Sequence, residues 1–245
     1  MTRFANKIAV VTGAGRGIGA AVTRQLVGEG ATVLAFGIGN NEAALAEALG
    51  SAVIPVSCDV SDAADVDAAF AACRERFGRL DLLLNNAGIS KGGRRLHETP
   101  LEIWDQVMGI NLRGAFMVMR HAIGLMLESG GGAIVNTASI GGLKPSVSTT
   151  PYSITKAGMI MMTRQAALEY AKDNIRVNVI CPGTILTPML DNGGPELIRE
   201  KEAITPVGRI GTAAEVAQLA CFLLSNDAPS MTGGVHTIAG GREAQ

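Results

Sequence analysis

What constrains this chain most is a regular alternation of short, almost wholly apolar runs with longer stretches of helical spacing. Ile8–Val11, Thr32–Phe36, Val53–Val56, Leu80–Leu84, Ala133–Asn136, Arg176–Ile180 and Val235–Ile238 each read as strands. Their apolar character is nearly continuous, as in strands covered on both faces. Between them, Ile18–Glu29, Glu42–Leu49, Ala63–Arg76, Leu101–Leu127, a stretch from about Tyr152 to Lys172, and Ala213–Leu224 carry helical patterns. Parallel strands need a long crossover and a helix supplies it, so the expected fold is α/β. It is a doubly wound parallel sheet of about seven strands with helices on both faces.

With 245 residues, 47% of them hydrophobic, the chain has enough apolar material for a large core. No proline-rich linker or change of composition divides it, so residues 1–245 are read as one domain. The formal net charge of −1 provides no overall field to attract nucleic acid or an anionic membrane, and neither partner is expected. Cys58, Cys73, Cys181 and Cys221 are far apart with no C-x-x-C pair, and His97, His121 and His236 are scattered. They read as buried thiols of a reducing compartment, and no metal site is expected. Met1–Asn6 is polar, and Ile8–Val11 runs directly into a glycine loop instead of a long apolar stretch. No secretory leader is therefore expected, no segment is apolar enough to span a membrane, and the expected location is the cytoplasm.

The loop after the first strand, Thr12-Gly13-Ala14-Gly15-Arg16-Gly17-Ile18-Gly19, opens directly into a helix. Glycines there allow a tight turn and close approach of a pyrophosphate, and the helix start presents free N–H groups to the anion. Between a first strand and a first helix this is a dinucleotide-binding, Rossmann-like arrangement. Two registers are open, Gly15-x-Gly17-x-x-Ala20 and Gly13-x-x-x-Gly17-x-Gly19; the second is preferred because it begins where the strand ends. A carboxylate commonly closes the second strand and binds the adenosine ribose. Here that strand ends Ala35-Phe36-Gly37-Ile38-Gly39, with no acid. Its absence leaves room for a 2′-phosphate, for which Arg16 is a candidate cation, so NADP(H) is favoured over NAD(H).

Further along stands Tyr152-Ser153-Ile154-Thr155-Lys156, which on a helix places Tyr152 and Lys156 one turn apart on the same face. A phenol with an ordinary pKa of about 10 needs a neighbouring cation to act as a base near neutrality. Ser139 follows the fifth strand and Asn85-Asn86-Ala87-Gly88 the fourth, at the strand ends where open parallel sheets bind ligands. With Asp59, Asn111 and Pro182-Gly183, these motifs span nearly the whole chain. In them the sequence resembles the single-domain, 3-oxoacyl-reductase-like subgroup of the short-chain dehydrogenase/reductase family.

The resemblance implies an NAD(P)-dependent oxidoreductase that interconverts a secondary alcohol and a ketone. Tyr152 would be the acid/base, Ser139 would bind the carbonyl oxygen, and Lys156 would bind the nicotinamide ribose and lower the Tyr152 pKa. Asn111 would hold a water that relays protons to Lys156. Gly13, Arg16, Gly17, Ile18 and Gly19 would surround the pyrophosphate, with Asp59 and Val60 at the adenine. Asn86, Ala87 and Gly88 would run beside the adenosine and ribose, and Pro182, Gly183, Ile185 and Thr187 would cradle the nicotinamide. Taken singly, Ser139 and Asp59 also read as helix caps and Asn111 as a backbone-satisfying amide. A dinucleotide-sensing regulator on the same fold is the alternative function, and it would have no use for Ser139, Tyr152 and Lys156 together.

The substrate pocket is expected from Ser90–Leu96, Ile140–Thr150 and the residues beyond Ile185. Leu186–Pro206, rich in Pro, Gly and charge, reads as a mobile loop, inert or a lid over the substrate. The methionines of the helices after Trp104 and near Tyr152 (Met117, Met119, Met126, Met159, Met161, Met162) read either as core or as a face against another subunit. The family resemblance implies a homotetramer built on these two helices.

Overall fold

The computed structural model describes residues 2–191 and 194–245. Strand β1 (Ile8–Thr12) is buried along its whole length and leads through the glycine loop into helix α1 (Gly17–Gly28). The alternation continues with β2 (Thr32–Gly37), α2 (Asn41–Leu49), β3 (Val53–Ser57), α3 (Ala63–Phe77) and β4 (Leu82–Asn85). Next come α4 (Leu101–Met108), α5 (Ala115–Ser129), β5 (Gly132–Thr137), α6 (Thr150–Tyr170) and β6 (Ile175–Pro182). The final part contains β7 (Ile185–Leu186), α7 (Pro188–Asp191), α8 (Gly194–Ala203), β8 (Gly211–Thr212), α9 (Ala213–Leu224) and β9 (Val235–Ile238).

Seven strands form one parallel sheet in the order β3-β2-β1-β4-β5-β6-β9. The order reverses direction between β1 and β4, so the loops leaving those two strands diverge and open a crevice at the sheet's carboxyl edge. Two apolar layers cover the sheet. On one face Val10, Leu83 and Ile134 pack with Phe70 of α3 and Val118 of α5; on the other Val11, Leu84 and Val135 pack with Val22 of α1 and Val216 of α9. Neighbouring residues of a strand thus enter opposite cores, which explains why the strands carry apolar residues at nearly every position.

The expected fold is present, with three local differences. The continuous helix expected over Leu101–Leu127 is interrupted by one wide π-helical turn, Gly109–Gly114. Gly114 lies so close to the Val60 carbonyl that an added Cβ would stand 2.7 Å from it. The fourth strand starts two residues later than expected, because Asp81 turns its carboxylate to the Ile8 amide (2.9 Å). Leu186–Pro206 is not one irregular loop: β7 pairs with β8, and α7 and α8 follow. Asn192 and Gly193 of that segment lie outside the described residues. Among the methionines, Met117, Met119, Met126 and Met159 are buried core residues, whereas Met161 is exposed. All four cysteines are free and buried, and none of the described helices is long and apolar enough to cross a membrane.

Candidate active site

The glycine loop is held open by its neighbours. Gly13 and Gly17 have φ of 62° and 55°, the left-handed region that a side chain disfavours. At Gly19 the constraint is space, since a Cβ would come within 2.1 Å of the Gly13 carbonyl oxygen. This supports the Gly13-x-x-x-Gly17-x-Gly19 register. Arg16 precedes α1 without a side-chain cap, and no acid occupies the first turn. The first amides of α1 are therefore left for an outside acceptor, which is what a phosphate needs.

The ends of β1 and β4 are tied together by Thr12, which opens the glycine motif but has no role assigned to it from the sequence. Its buried hydroxyl accepts from the Asn86 amide (2.8 Å) and the Ala87 amide (2.9 Å). The Asn86 side chain returns a bond to the Thr12 carbonyl (3.1 Å). Asp59 does not cap α3; that is done by Asp62, which accepts from the Ala64 and Asp65 amides. Asp59 instead fixes its own turn by accepting from the Ser61 amide and hydroxyl (2.9 and 2.7 Å).

A cavity of about 350 Å³ lies at the carboxyl edge and brings Ser139, Tyr152 and Lys156 together with Ile18, Gly88 and Pro182. Its wall also includes Gly183, Ile185 and Thr187. Tyr152 and Lys156 share one face of α6, with the ammonium 5.6 Å from the centre of the phenol ring. Lys156 is almost completely buried, and its Nζ donates to the Thr137 carbonyl (2.8 Å). Burial pulls its pKa down to about 8. Ser139 caps the short 3-10 turn Ile140–Gly142 by accepting from the Gly141 amide (3.0 Å). That bond uses a lone pair and leaves the hydroxyl proton free to be donated.

The expected lowering of the Tyr152 pKa is not found in this arrangement. Burial raises it above its ordinary value and outweighs the opposing influence of the neighbouring Ser139 hydroxyl. Burial thus favours the neutral phenol over the phenolate. Asn111 is fully buried in the π-helical turn, where its side chain donates to the Ile89 carbonyl and accepts from the Ile89 amide, both at 2.8 Å. It also reaches the Thr155 hydroxyl (3.4 Å). Its amide therefore fastens the segment after β4 to α6, and a Cβ on Gly88 would stand 3.2 Å from Asn111 Oδ1 and 3.7 Å from Lys156 Nζ.

At the end of β2 the space expected over Gly37 is filled. Glu42, from the first turn of α2, lays its carboxylate there, so that a Cβ on Gly37 would be 1.9 Å from Glu42 Oε1. The strand itself lacks an acid, as its sequence says, but the site does not. Sequence reasoning missed Glu42; the available signal was a glycine at the strand end followed five residues later by an acid opening a helix.

A sheet crevice, an uncapped helix start and a Tyr/Ser pair beside a buried lysine define the architecture of a dinucleotide-binding oxidoreductase. The family model described as enoyl-(acyl carrier protein) reductase matches residues 13–243. The chain is 37% identical to levodione reductase of Leifsonia aquatica, over 99% of this chain and 96% of that protein. It is 38% identical to cyclohexanol dehydrogenase of Acinetobacter sp. (strain SE19), over 97% and 95% of the two chains. The crystal structure of levodione reductase superposes with a TM-score of 0.94 at 36% identity, covering 98% of this chain and 99% of that one. The chain belongs to the short-chain dehydrogenase/reductase family, as its motifs led us to expect.

Proposed function

We propose that this protein interconverts a secondary alcohol and its ketone, with Tyr152 as the acid/base and a nicotinamide dinucleotide as hydride carrier. The observation that carries this reading is the convergence of Ser139, Tyr152 and Lys156 on one cavity beside the uncapped start of α1. The left-handed turns at Gly13 and Gly17 and the free amides of α1 fit such a dinucleotide. When bound, its nicotinamide supplies or accepts the hydride. Gly13, Arg16, Gly17, Ile18 and Gly19 hold the pyrophosphate, Asp59 and Val60 face the adenine, and Asn86, Ala87 and Gly88 line the adenosine side. Pro182, Gly183, Ile185 and Thr187 hold the nicotinamide end.

In reduction, the Ser139 hydroxyl donates a hydrogen bond to the carbonyl oxygen and the Tyr152 hydroxyl delivers its proton there. Burial favours the neutral phenol, the form that donates in this direction. In oxidation Tyr152 takes the proton back, and the Lys156 ammonium stabilises the phenolate that precedes this step. Asn111 positions the Gly88–Ile89 segment against Lys156, and a water held beside it returns protons to that lysine.

The substrate side is mostly apolar, with Ile185, Met189 and Leu190 on the cavity wall. Cyclohexanol dehydrogenase is named for a cyclic compound, and we assign this pocket a small cyclic ketone or alcohol. A second cavity of about 620 Å³ adjoins it at Ser90 and is bordered by Lys91, Arg94 and Glu102; it is the entrance to the pocket. The described part of segment 186–206 borders the substrate cavity through Thr187, Met189 and Leu190 and is its lid. We further assign a homotetramer in the cytoplasm. Ile154, Met161 and Leu168 recur every seven residues on α6 and are exposed, as are Phe116 and Leu127 of α5, giving two apolar stripes for neighbouring subunits. Mixing the protein with reduced nicotinamide dinucleotide and a panel of cyclic ketones tests the reading: ketone-dependent oxidation of the cofactor is expected, and its absence across both cofactors and the whole panel overturns it.

A further inference from the structure

We propose that Glu42 is the residue that selects the cofactor, by presenting its carboxylate to the adenosine ribose from α2 and so making the site prefer NAD(H) to NADP(H). This inference rests on the dinucleotide reading above and reverses the preference that Gly37 suggests in the sequence alone.

The geometry begins with an exchange of side chains. Gly37 closes β2 without a side chain, and Glu42 occupies the vacated volume, with Oε1 1.9 Å, Cδ 2.4 Å and Oε2 3.0 Å from where a Cβ on residue 37 would be. The carboxylate therefore sits where a short acidic side chain on the strand end would put its own. Oε1 accepts from the Gly15 amide (3.1 Å), which fixes the group against the phosphate loop. The fit excludes a side chain at position 15 as well, because a Cβ there would lie 2.4 Å from Asn41 Cβ and 2.7 Å from Glu42 Oε1. The glycine at 15 is thus explained by Asn41 and Glu42, not by the phosphate.

Helix capping and the α2 dipole account for an acid in the first turn, and the Gly15 amide accounts for Oε1. Neither accounts for the rest of the group. Glu42 is only 6% exposed, and Oε2 is buried with no hydrogen-bond partner among the described residues. A buried carboxylate oxygen without a donor is costly, and such groups are rare outside functional sites. The terminal torsion of a glutamate is broad and two-fold, so either oxygen can turn to an incoming donor. A ribose hydroxyl is a donor and satisfies it. A phosphate at the same position brings negative charge against negative charge and donates nothing at neutral pH. Arg16 is the competing influence: it is exposed and makes no ion pair among the described residues.

Calorimetric titration of the wild-type protein with NADH and NADPH is the test. NADH binding at least about tenfold tighter is expected, since one uncompensated like-charge contact is worth a factor of that order. Glu42→Gln keeps the shape and an acceptor for Gly15 but removes the charge, and should lower the NADH/NADPH affinity ratio about tenfold or more. Glu42→Ala combined with Gly37→Asp moves the acid onto the strand and should restore the wild-type ratio. Gly37→Asp alone should weaken both nucleotides, because the two side chains compete for one volume. Equal or tighter NADPH binding by wild type, or an unchanged ratio in Glu42→Gln, overturns the role of Glu42. Binding of neither nucleotide overturns the dinucleotide reading itself.

Discussion

Replacing Lys156 with methionine should stabilise the ligand-free protein while abolishing its chemistry, and the structure gives the size of the effect. Lys156 is 4% exposed, and burial takes its pKa from an ordinary 10.5 to about 8. A tenfold change in acidity corresponds to about 1.4 kcal/mol, so holding the charge inside costs roughly 3 kcal/mol at neutral pH. Its hydrogen bond to the Thr137 carbonyl (2.8 Å) is lost on substitution, which takes back about 1 kcal/mol. A net gain of about 2 kcal/mol remains, or some 4–8 °C in Tm for a chain of this size.

The pH dependence is the sharper signature. Below about 8 both folded and unfolded lysine carry the proton and the penalty is complete. Between about 8 and 10.5 the folded protein has released a proton that the unfolded chain still holds, so wild-type stability rises with pH. The advantage of Lys156→Met should therefore be full at pH 7 and mostly gone by about pH 10. Urea unfolding of both proteins at these two pH values measures it. A variant less stable than wild type at pH 7, or a difference that does not change with pH, would refute the reasoning.

Tyr152→Phe removes one oxygen and should reduce kcat by about 10²–10⁴-fold with little change in dinucleotide affinity, as steady-state rates and a binding titration would show. Gly19→Ala drives a methyl to within 2.1 Å of the Gly13 carbonyl; it should cost about 1–3 kcal/mol of stability and weaken the dinucleotide more than about tenfold. Asp81 is pushed up by burial, yet Arg79, the Ile8 amide (2.9 Å) and Lys7 (3.1 Å) win and leave its pKa lowered. Its contribution is complete above the ordinary carboxylate range and disappears as pH falls through the lowered value, so Asp81→Asn should lose about 1–3 kcal/mol at pH 7 and show a shallower acid limb in thermal melts.

The strands were legible because burial on both faces demands continuous apolar runs, and their parallel pairing follows from the crossover helices. The glycine loop was legible for a similar reason: left-handed φ at Gly13 and Gly17 and the closeness of Gly19 to a carbonyl admit only one residue type. Less visible were contacts made by backbone groups or across the fold. Nothing in the sequence marks the Thr137 carbonyl as the partner of Lys156, or Thr12 as the tie between β1 and β4. The π-helical turn was hidden because its residues keep the helical pattern on either side. Glu42 was missed for a different reason. The acid is absent from the strand, and the next helix delivers it into the space a glycine leaves. The balance at Tyr152 is likewise a property of depth in the folded protein, which spacing to Lys156 does not report.

The central claim is that Tyr152, with Ser139 beside it, transfers the proton in a dinucleotide-dependent reduction of a ketone. Single-turnover mixing of the NADH-loaded protein with a small cyclic ketone, followed by the loss of reduced-nicotinamide absorbance, tests it most directly when wild type and Tyr152→Phe are run side by side. Rapid loss in wild type and almost none in the fully loaded variant is the predicted result. Loss at comparable rates in both would contradict the account, because the proton would then come from elsewhere.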